Sequence, residues 1–305
     1  FTKFFSTDST VSFSASSIAQ IQSGRPACVL ALHPSASGAV STGGSTNVEL
    51  DGCDIAANSI SSSAISANGN GSSVEADCIS AVGDVSVNST YDLDCPAPIS
   101  NGPVTADPYK NVAMPTAASC TSNHTTNQFP SQGNGATRCY TADNNIGFNG
   151  NGTTTLTSNV TYVFKNTGAS AKSFTLNGGH KINGTNVTLI FEGIWSISVS
   201  GNSAFNITAP TTGTYKGLAL IGDRNNSVDM DLTGNNGNKI VGAIYSPNKN
   251  SHVEYRGSNV AYTAGQCTQV IGGTVGFTGN SDFSTDCSNS GTTAILAGQS
   301  IKIVG

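Results

Sequence analysis

One phrase recurs along this chain and limits what it can fold into. It is a short strand of alternating apolar and small polar residues, a glycine with Asn, Ser or Gly beside it, then a second such strand. The stretch "ISVSGNSAFNITAP", residues 197–210, is one full instance around Gly201, and others surround Gly43, Gly69, Gly178, Gly234, Gly257 and Gly279. From Gly178 onward these glycines stand 23, 33, 23 and 22 residues apart. Recurrence at such an interval marks a solenoid, in which each coil supplies a few short strands and covers the apolar side of the next.

Helical spacing is broken nearly everywhere by Gly, Asn and Thr, whereas period two persists in "TYVFK", "KSFTLNG", "TNVTLIFEG", "VDMDLTGN", "KIVGAIYSP", "HVEYRGSN" and "TVGFTGN". Glycine and asparagine suit the corners because they tolerate left-handed backbone. The predicted fold is therefore all-β, a parallel β-helix with Gly/Asn turns and disulfide-closed loops. A β-sandwich, which also has short strands and Gly-rich turns, is the alternative, but its strands need share no phrase.

Five of the ten prolines, Pro96, Pro98, Pro103, Pro108 and Pro115, fall in one short stretch. Proline cannot donate to a strand ladder, so residues 96–119 read as an extended linker. It divides an N-terminal β unit with Ser/Gly-rich repeats, residues 1–95, from a C-terminal β-helix-like domain, residues 120–305. Residues 119–141 read as a disulfide-closed loop at the start of the latter.

The eight cysteines are even in number, widely spaced and free of any CxxC, which favours four disulfides over a zinc or redox site. An oxidising location is expected: extracellular, cell surface or periplasmic. Pairing of sequence neighbours, Cys28 with Cys53, Cys78 with Cys95, Cys120 with Cys139 and Cys267 with Cys287, closes loops of roughly twenty residues, each stabilising by about 3 kcal/mol in the loop-entropy model. Proximity motivates this pairing, and the sequence leaves other connectivities open.

Only 10% of residues are charged and the net charge is -5, which provides no basic stripe for nucleic-acid phosphate. The sequence holds no run of eighteen apolar residues, and the stretch "FTKFFSTDSTVSFSASSIAQI" lacks the features of a signal peptide. The expectation is that Phe1 is not the biosynthetic start, and that a signal or membrane helix precedes it.

β-Helices often act on polysaccharides through clustered carboxylates, so acidic pairs on one strand face are the candidates for such chemistry. Asp92 with Asp94, and Asp229 with Asp231, stand at i and i+2, a spacing that places both side chains on one face of a strand. Asp229 and Asp231 are the candidate metal ligands or catalytic carboxylates, against the simpler reading of two solvated groups. "DMDLTGNNGNKI" opens like a calcium loop through Asp229, Asp231 and Gly234, yet Ile240 occupies the position that needs a bidentate carboxylate.

His33, His124, His180 and His252 are scattered without zinc spacing, and there is no nucleophile elbow, phosphate loop or dinucleotide fingerprint. Asp223, Arg224 and Lys216 could hold a sugar carboxylate, but a solvated coil edge is the preferred reading. Trp195 could stack on a sugar, with core packing preferred. Nine glycosylation sequons, among them Asn151, Asn159, Asn183, Asn186 and Asn206, follow from the composition. No catalytic residue and no cofactor are assigned.

"RPACVLALHPSASGAVSTGG", "ADPYKNVAMP", "APTTGTYKGLALIGDRN", "GAIYSP" and "CTQVIGGTVGFTGNSDFSTDC" together resemble the extracytoplasmic β-repeat region of TadG-like proteins of Tad (Flp) pilus assembly, over most of the chain from Pro26 to Cys287. The resemblance implies an amino-terminal membrane helix, export and a structural role at the surface. Tyr109 stands where that family usually has Leu.

The function expected is thus a non-catalytic structural or adhesive component of a bacterial surface or pilus-type assembly. Its expected partners are further copies of itself, forming a filament or layer, or other surface subunits. The alternative is a secreted polysaccharide-active or carbohydrate-binding β-helix. An ice- or sugar-binding solenoid ranks last, since no Thr or aromatic ladder recurs at a fixed interval. The closing stretch "TAILAGQSIKIVG" reads as an apolar strand that needs a partner.

Overall fold

The computed structural model describes residues 14–43, 46–68, 72–87, 90–114, 120, 129–130, 136–234, 238–256, 267–284, 287 and 290–304. All of its regular structure is β, and its strands stack as a parallel solenoid with three sides. The sandwich alternative is thereby excluded. On the first side the strands stack in the order Thr137–Thr141, Thr161–Lys165, Thr188–Glu192, Leu218–Gly222, Lys239–Ser246, Thr268–Gly272, Arg25–Ala31, Asp54–Ala57 and Ile79–Ala81. We number the rungs one to nine in that order. The second side repeats the order from Ile146–Phe148 to Val85–Val87.

The third side has two stretches. Gly152–Thr155, His180–Gly184, Ala204–Thr208 and the start of Lys239–Ser246 cover rungs one to four. Asn280–Ser284, Asn47–Asp51, Ser73–Ala76 and Thr90–Leu93 cover rungs six to nine. At about 4.8 Å per rung the stack is about 38 Å long.

Rung order is not chain order. The sixth rung, from residues 268–284, is continued by the seventh, from residues 25–51, on all three sides. The sequence divides the chain at the proline-rich stretch, yet both parts contribute rungs to the same sheets. The connection must therefore return from the ninth rung to the first.

It does so across the outside of the first side. There a row of outward residues, Cys139, Val163, Ile190, Ile221, Tyr245, Ile271, Leu30, Ala56 and Ser80, runs in register along all nine rungs. Every member is buried, because this sheet face is covered. Residues 99–102 first bond along the ninth-rung strand, with Ile99 N donating to Ile79 O and Gly102 N to Ala81 O. Asn58 then exchanges side-chain bonds with the backbone of Thr105. Tyr109, Val112 and Met114 pack on the apolar row, and Cys120 ties the segment to Cys139 on the first rung.

The inward row gives each rung its part of the core. In the first three rungs it is aromatic: Phe164 stacks on Phe191 at 4.9 Å, and Phe174, Phe205 and Trp195 pack round them. Phe129, from the returning connection, packs 5.4 to 6.1 Å from Phe148, Tyr162, Phe164 and Phe174 and closes that end. In rungs seven to nine the corresponding residues are small or aliphatic, such as Ala31, Val40, Ile55, Ala57, Ile65 and Ala81.

Recurring glycines serve the corners in two ways. Gly178 has φ 73°, and a Cβ there would lie 2.7 Å from the Gly150 nitrogen of the rung before. Gly234 has no such backbone, but a Cβ would meet the Ser203 carbonyl at 2.2 Å, so the turns could not stack. Gly69 and Gly257 lie outside the described residues. The closing stretch pairs within the chain: Ile295–Ala297 runs antiparallel to Arg25–Ala31, and Ser300–Val304 antiparallel to Ile18–Gln22. The disulfides are Cys28–Cys53, Cys78–Cys95, Cys120–Cys139 and Cys267–Cys287.

Candidate functional site

Asp229 and Asp231 lie on the straight strand Val228–Leu232, whose apolar residues point inward, so both carboxylates face out from the second side at the fourth rung. The strand cannot wrap a cation as a calcium loop would. Parallel register sets Asp231 beside Glu254 of the fifth rung, and a backbone bond from His252 N to Asp229 Oδ1 at 2.9 Å ties the two rungs. His252 Nε2 is 3.0 Å from Glu254 Oε2 and its Nδ1 is 2.8 Å from Thr274 Oγ1. Thr233 donates to Asp231 Oδ1 at 2.6 Å.

Gly276 of the sixth rung makes room for this network. A Cβ at that position would stand 1.9 Å from Glu254 Oε2, so the carboxylate lies over the bare backbone. Around the charged centre the outward positions carry hydroxyls: Thr175 and Ser198 on one flank, Ser41, Ser66 and Ser86 on the other, all in one register row with Asp231 and Glu254. The second side is thus a flat polar face with a carboxylate and imidazole centre. It can exchange hydrogen bonds with a polyhydroxylated or polar surface, and no group of three or more His, Cys, Asp or Glu among the described residues is arranged to hold a metal.

Asp223 and Arg224 are not the solvated coil edge expected from the sequence. Arg224 Nη2 donates to Tyr109 O at 3.0 Å, Nη1 and Nη2 both reach Val112 O, and the guanidinium lies 6.0 Å over the Tyr245 ring. Tyr245 donates to Asp107 at 2.8 Å, and the Tyr109 hydroxyl donates to Gln269 Oε1 at 3.3 Å while accepting from Thr293 N at 2.9 Å. Burial pushes the Tyr109 hydroxyl up to about 12 and raises that of Tyr245 as well, so both stay protonated donors. Asp223 accepts from Gly193 N and Asn226 Nδ2. Arg224 and Tyr245 thus pin the returning connection, and Lys216 is exposed.

The remaining candidates are structural in their surroundings. Trp195 is buried and donates to Glu192 O. His33 Nδ1 accepts from Ser35 N and Ala36 N in a turn. His180 lies against Phe148 and bonds Thr154, and burial holds its imidazole below the ordinary 6.5. His124 lies outside the described residues. Asp92 and Asp94 do not form a strand pair, because the strand Thr90–Leu93 ends between them.

Asp92 belongs instead to a row that pairwise spacing along the sequence could not reveal. On the third side Asp92, Glu75, Glu49 and Asp282 occupy one register position on rungs nine, eight, seven and six. Glu49, Glu75 and Asp92 are exposed. Like unit charges about 4.8 Å apart in water repel by about 0.9 kcal/mol per neighbour, screened further by salt. The signal was present only as isolated acids in "NVELD", "SVEAD" and "TYDLD", and rung stacking is what aligns them.

Four disulfides mark an oxidising compartment, extracellular or periplasmic. Among the described residues no helix is long and apolar enough to cross a membrane. Compared with protein-family models, with curated proteins and with solved structures, the chain matches none.

Proposed function

We propose that this protein is a structural or adhesive component of a bacterial surface or pilus-type assembly, of the kind its resemblance to TadG-like proteins implies. The observation that carries the reading is the second side, a flat face with hydroxyls repeated along the stack around a carboxylate and imidazole centre, on a scaffold closed by disulfides. Such a face offers many weak polar contacts at once, which suits adhesion or lateral packing in a layer. Residues 99–102 line one end strand and Phe129 plugs the other end, which favours association through sides over end-to-end stacking. Labelling of the intact producing cell, with mass spectrometry of sheared surface material, is expected to find the chain on the envelope. Recovery solely as free protein in the medium would overturn the reading.

One observation favours a second reading, a carbohydrate-active protein: Asp231 and Glu254 are register neighbours with His252 beside them. If a polysaccharide is cleaved, and cleavage is lost in both Asp231→Asn and Glu254→Gln, that reading replaces the first.

A further inference from the structure

The charges of this chain are segregated along the solenoid axis. Rungs seven to nine, residues 25–95, hold eight acids against the single cation Arg25, a net of -7. Residues 137–256, in rungs one to five, hold nine cations against six acids, a net of +3. Two such bodies attract most strongly when they lie antiparallel, each basic end beside the other's acidic end.

The fold leaves few surfaces on which this can happen. The first side is covered by the returning connection, and both ends are occupied by residues 99–102 and Phe129. The second side bears its acids at its centre. On the second side Lys172 of the second rung already donates to Asp143 O, whereas the third side changes sign along its length through exposed side chains. Exposed Lys181 stands on its second rung and exposed Lys239 on its fourth, while exposed Glu49, Glu75 and Asp92 stand on the seventh, eighth and ninth. None of these five side chains has a hydrogen-bond or ion-pair partner among the described residues.

We propose that the third side is a self-complementary docking face whose partner is a second copy of this chain, bound antiparallel about a two-fold axis between the fifth and sixth rungs. Such an axis sets the second rung opposite the ninth, the third opposite the eighth and the fourth opposite the seventh. Lys239 then faces Glu49 and the Asn206 amide faces Glu75, while Lys181, two residues back along its strand from the row of Asn206 and Lys239, reaches across to Asp92 with its long side chain. Both lysines and both acids are two rungs apart along the stack, and the offset of Lys181 by two residues along the strand is about 7 Å, within the span of a lysine side chain. A two-fold interface uses the same patch on both copies and closes, giving a dimer as the unit of assembly. The carboxylates, which repel one another along the row in the monomer, gain facing cations and an amide donor.

This deepens the assembly reading and rests on it for its biological setting. Its test is made on the purified chain, so a failure here is distinct from absence of the chain from the envelope. Sedimentation equilibrium is expected to show a dimer at about 0.05 M salt that weakens at least about tenfold at about 0.5 M. An acid-reversed variant, Glu49→Lys with Glu75→Lys and Asp92→Lys, and a base-reversed variant, Lys181→Glu with Lys239→Glu, should each self-associate at least about a hundredfold more weakly. Mixed in equal amounts, the two should form a heterodimer, since one set of contacts then keeps its wild-type signs and the two-fold-related set has them exchanged.

Melting curves of each variant establish that it is folded; if either is not, Glu→Gln and Lys→Gln versions of the same positions replace it, with weakening as the expected result. A wild-type chain that stays monomeric at low salt, folded charge-altered variants that dimerise like wild type, or folded reversed variants that fail to combine would each overturn the proposal.

Discussion

The rungs built from residues 137–208 and those built from residues 25–93 share one hydrogen-bonding pattern but differ in what holds them. The former enclose a column of rings, with Phe164, Phe174, Phe191, Phe205 and Trp195 fully buried. The latter enclose mostly Ala, Val and Ile, and carry two disulfides: Cys28–Cys53 joins the seventh rung to the eighth, and Cys78–Cys95 ties the ninth-rung strand to the start of the connection. Where side chains are large, burial itself supplies the cohesion; where they are small, less area is removed from water and covalent closure makes up the difference. The same solenoid is thus held mainly by packing at one end, where Cys120–Cys139 fastens the connection to the first rung, and at the other by smaller packing with a cross-link between rungs.

That contrast can be broken from either end. Phe191→Ala should cost the most, about 3–5 kcal/mol, by leaving a cavity among Phe164, Phe174 and Trp195. Hydrogen exchange should then rise in residues 137–208 and change little in residues 25–93. Replacing Cys28 and Cys53 together by Ser should cost about 3.5 kcal/mol by the loop-entropy relation, with the opposite pattern of exchange. Equal loosening of both regions by either change would show that the rungs do not differ as described.

Arg224→Ala addresses the segment that joins the two regions. It removes the bonds to Tyr109 O and Val112 O and the contact over Tyr245, at a cost of about 1–3 kcal/mol. Faster exchange or proteolysis within residues 105–114, ahead of either set of rungs, is the expected result.

The gentlest test is a titration. Burial pushes the Asp54 carboxyl up to about 6 even though Arg25 holds it through two hydrogen-bonding nitrogens, and Asp77 adds to the rise. The native state therefore keeps a proton there that an unfolded chain releases near the ordinary 3.8. The stability from this group is full below about pH 4 and is lost as pH rises through about 6. Exchange in residues 25–93 should rise over that window, and Asp54→Asn should flatten the trend.

Much of the fold could be read from the chain before any coordinates. The alternating strands and the glycine phrases mark the coils, and "TYVFK" is a strand from end to end. Order among the coils was not legible, because the pairing of residues 268–272 with residues 29–31 joins segments far apart in sequence and similar to every other rung. The proline-rich stretch was legible as extended but not as a cover for the first side. Its anchors, Asp107, Tyr109 and Arg224, form no local motif and meet only after stacking. The polar centre at Asp229 and Asp231 was found as two residues, whereas Glu254 and His252 join it only through register.

The central structural claim, that the rungs from the two parts of the chain form one stack, is tested most directly by cross-linking across the sixth and seventh rungs. Glu49 and Asp282 are register neighbours there. A chain carrying Glu49→Cys and Asp282→Cys should form a disulfide between these positions on mild oxidation, detected by peptide mapping, while Glu49→Cys with Thr155→Cys, on the seventh and first rungs, should not. Failure of the first pair to close within one folded chain, or closure of the second within one chain, would contradict the rung order.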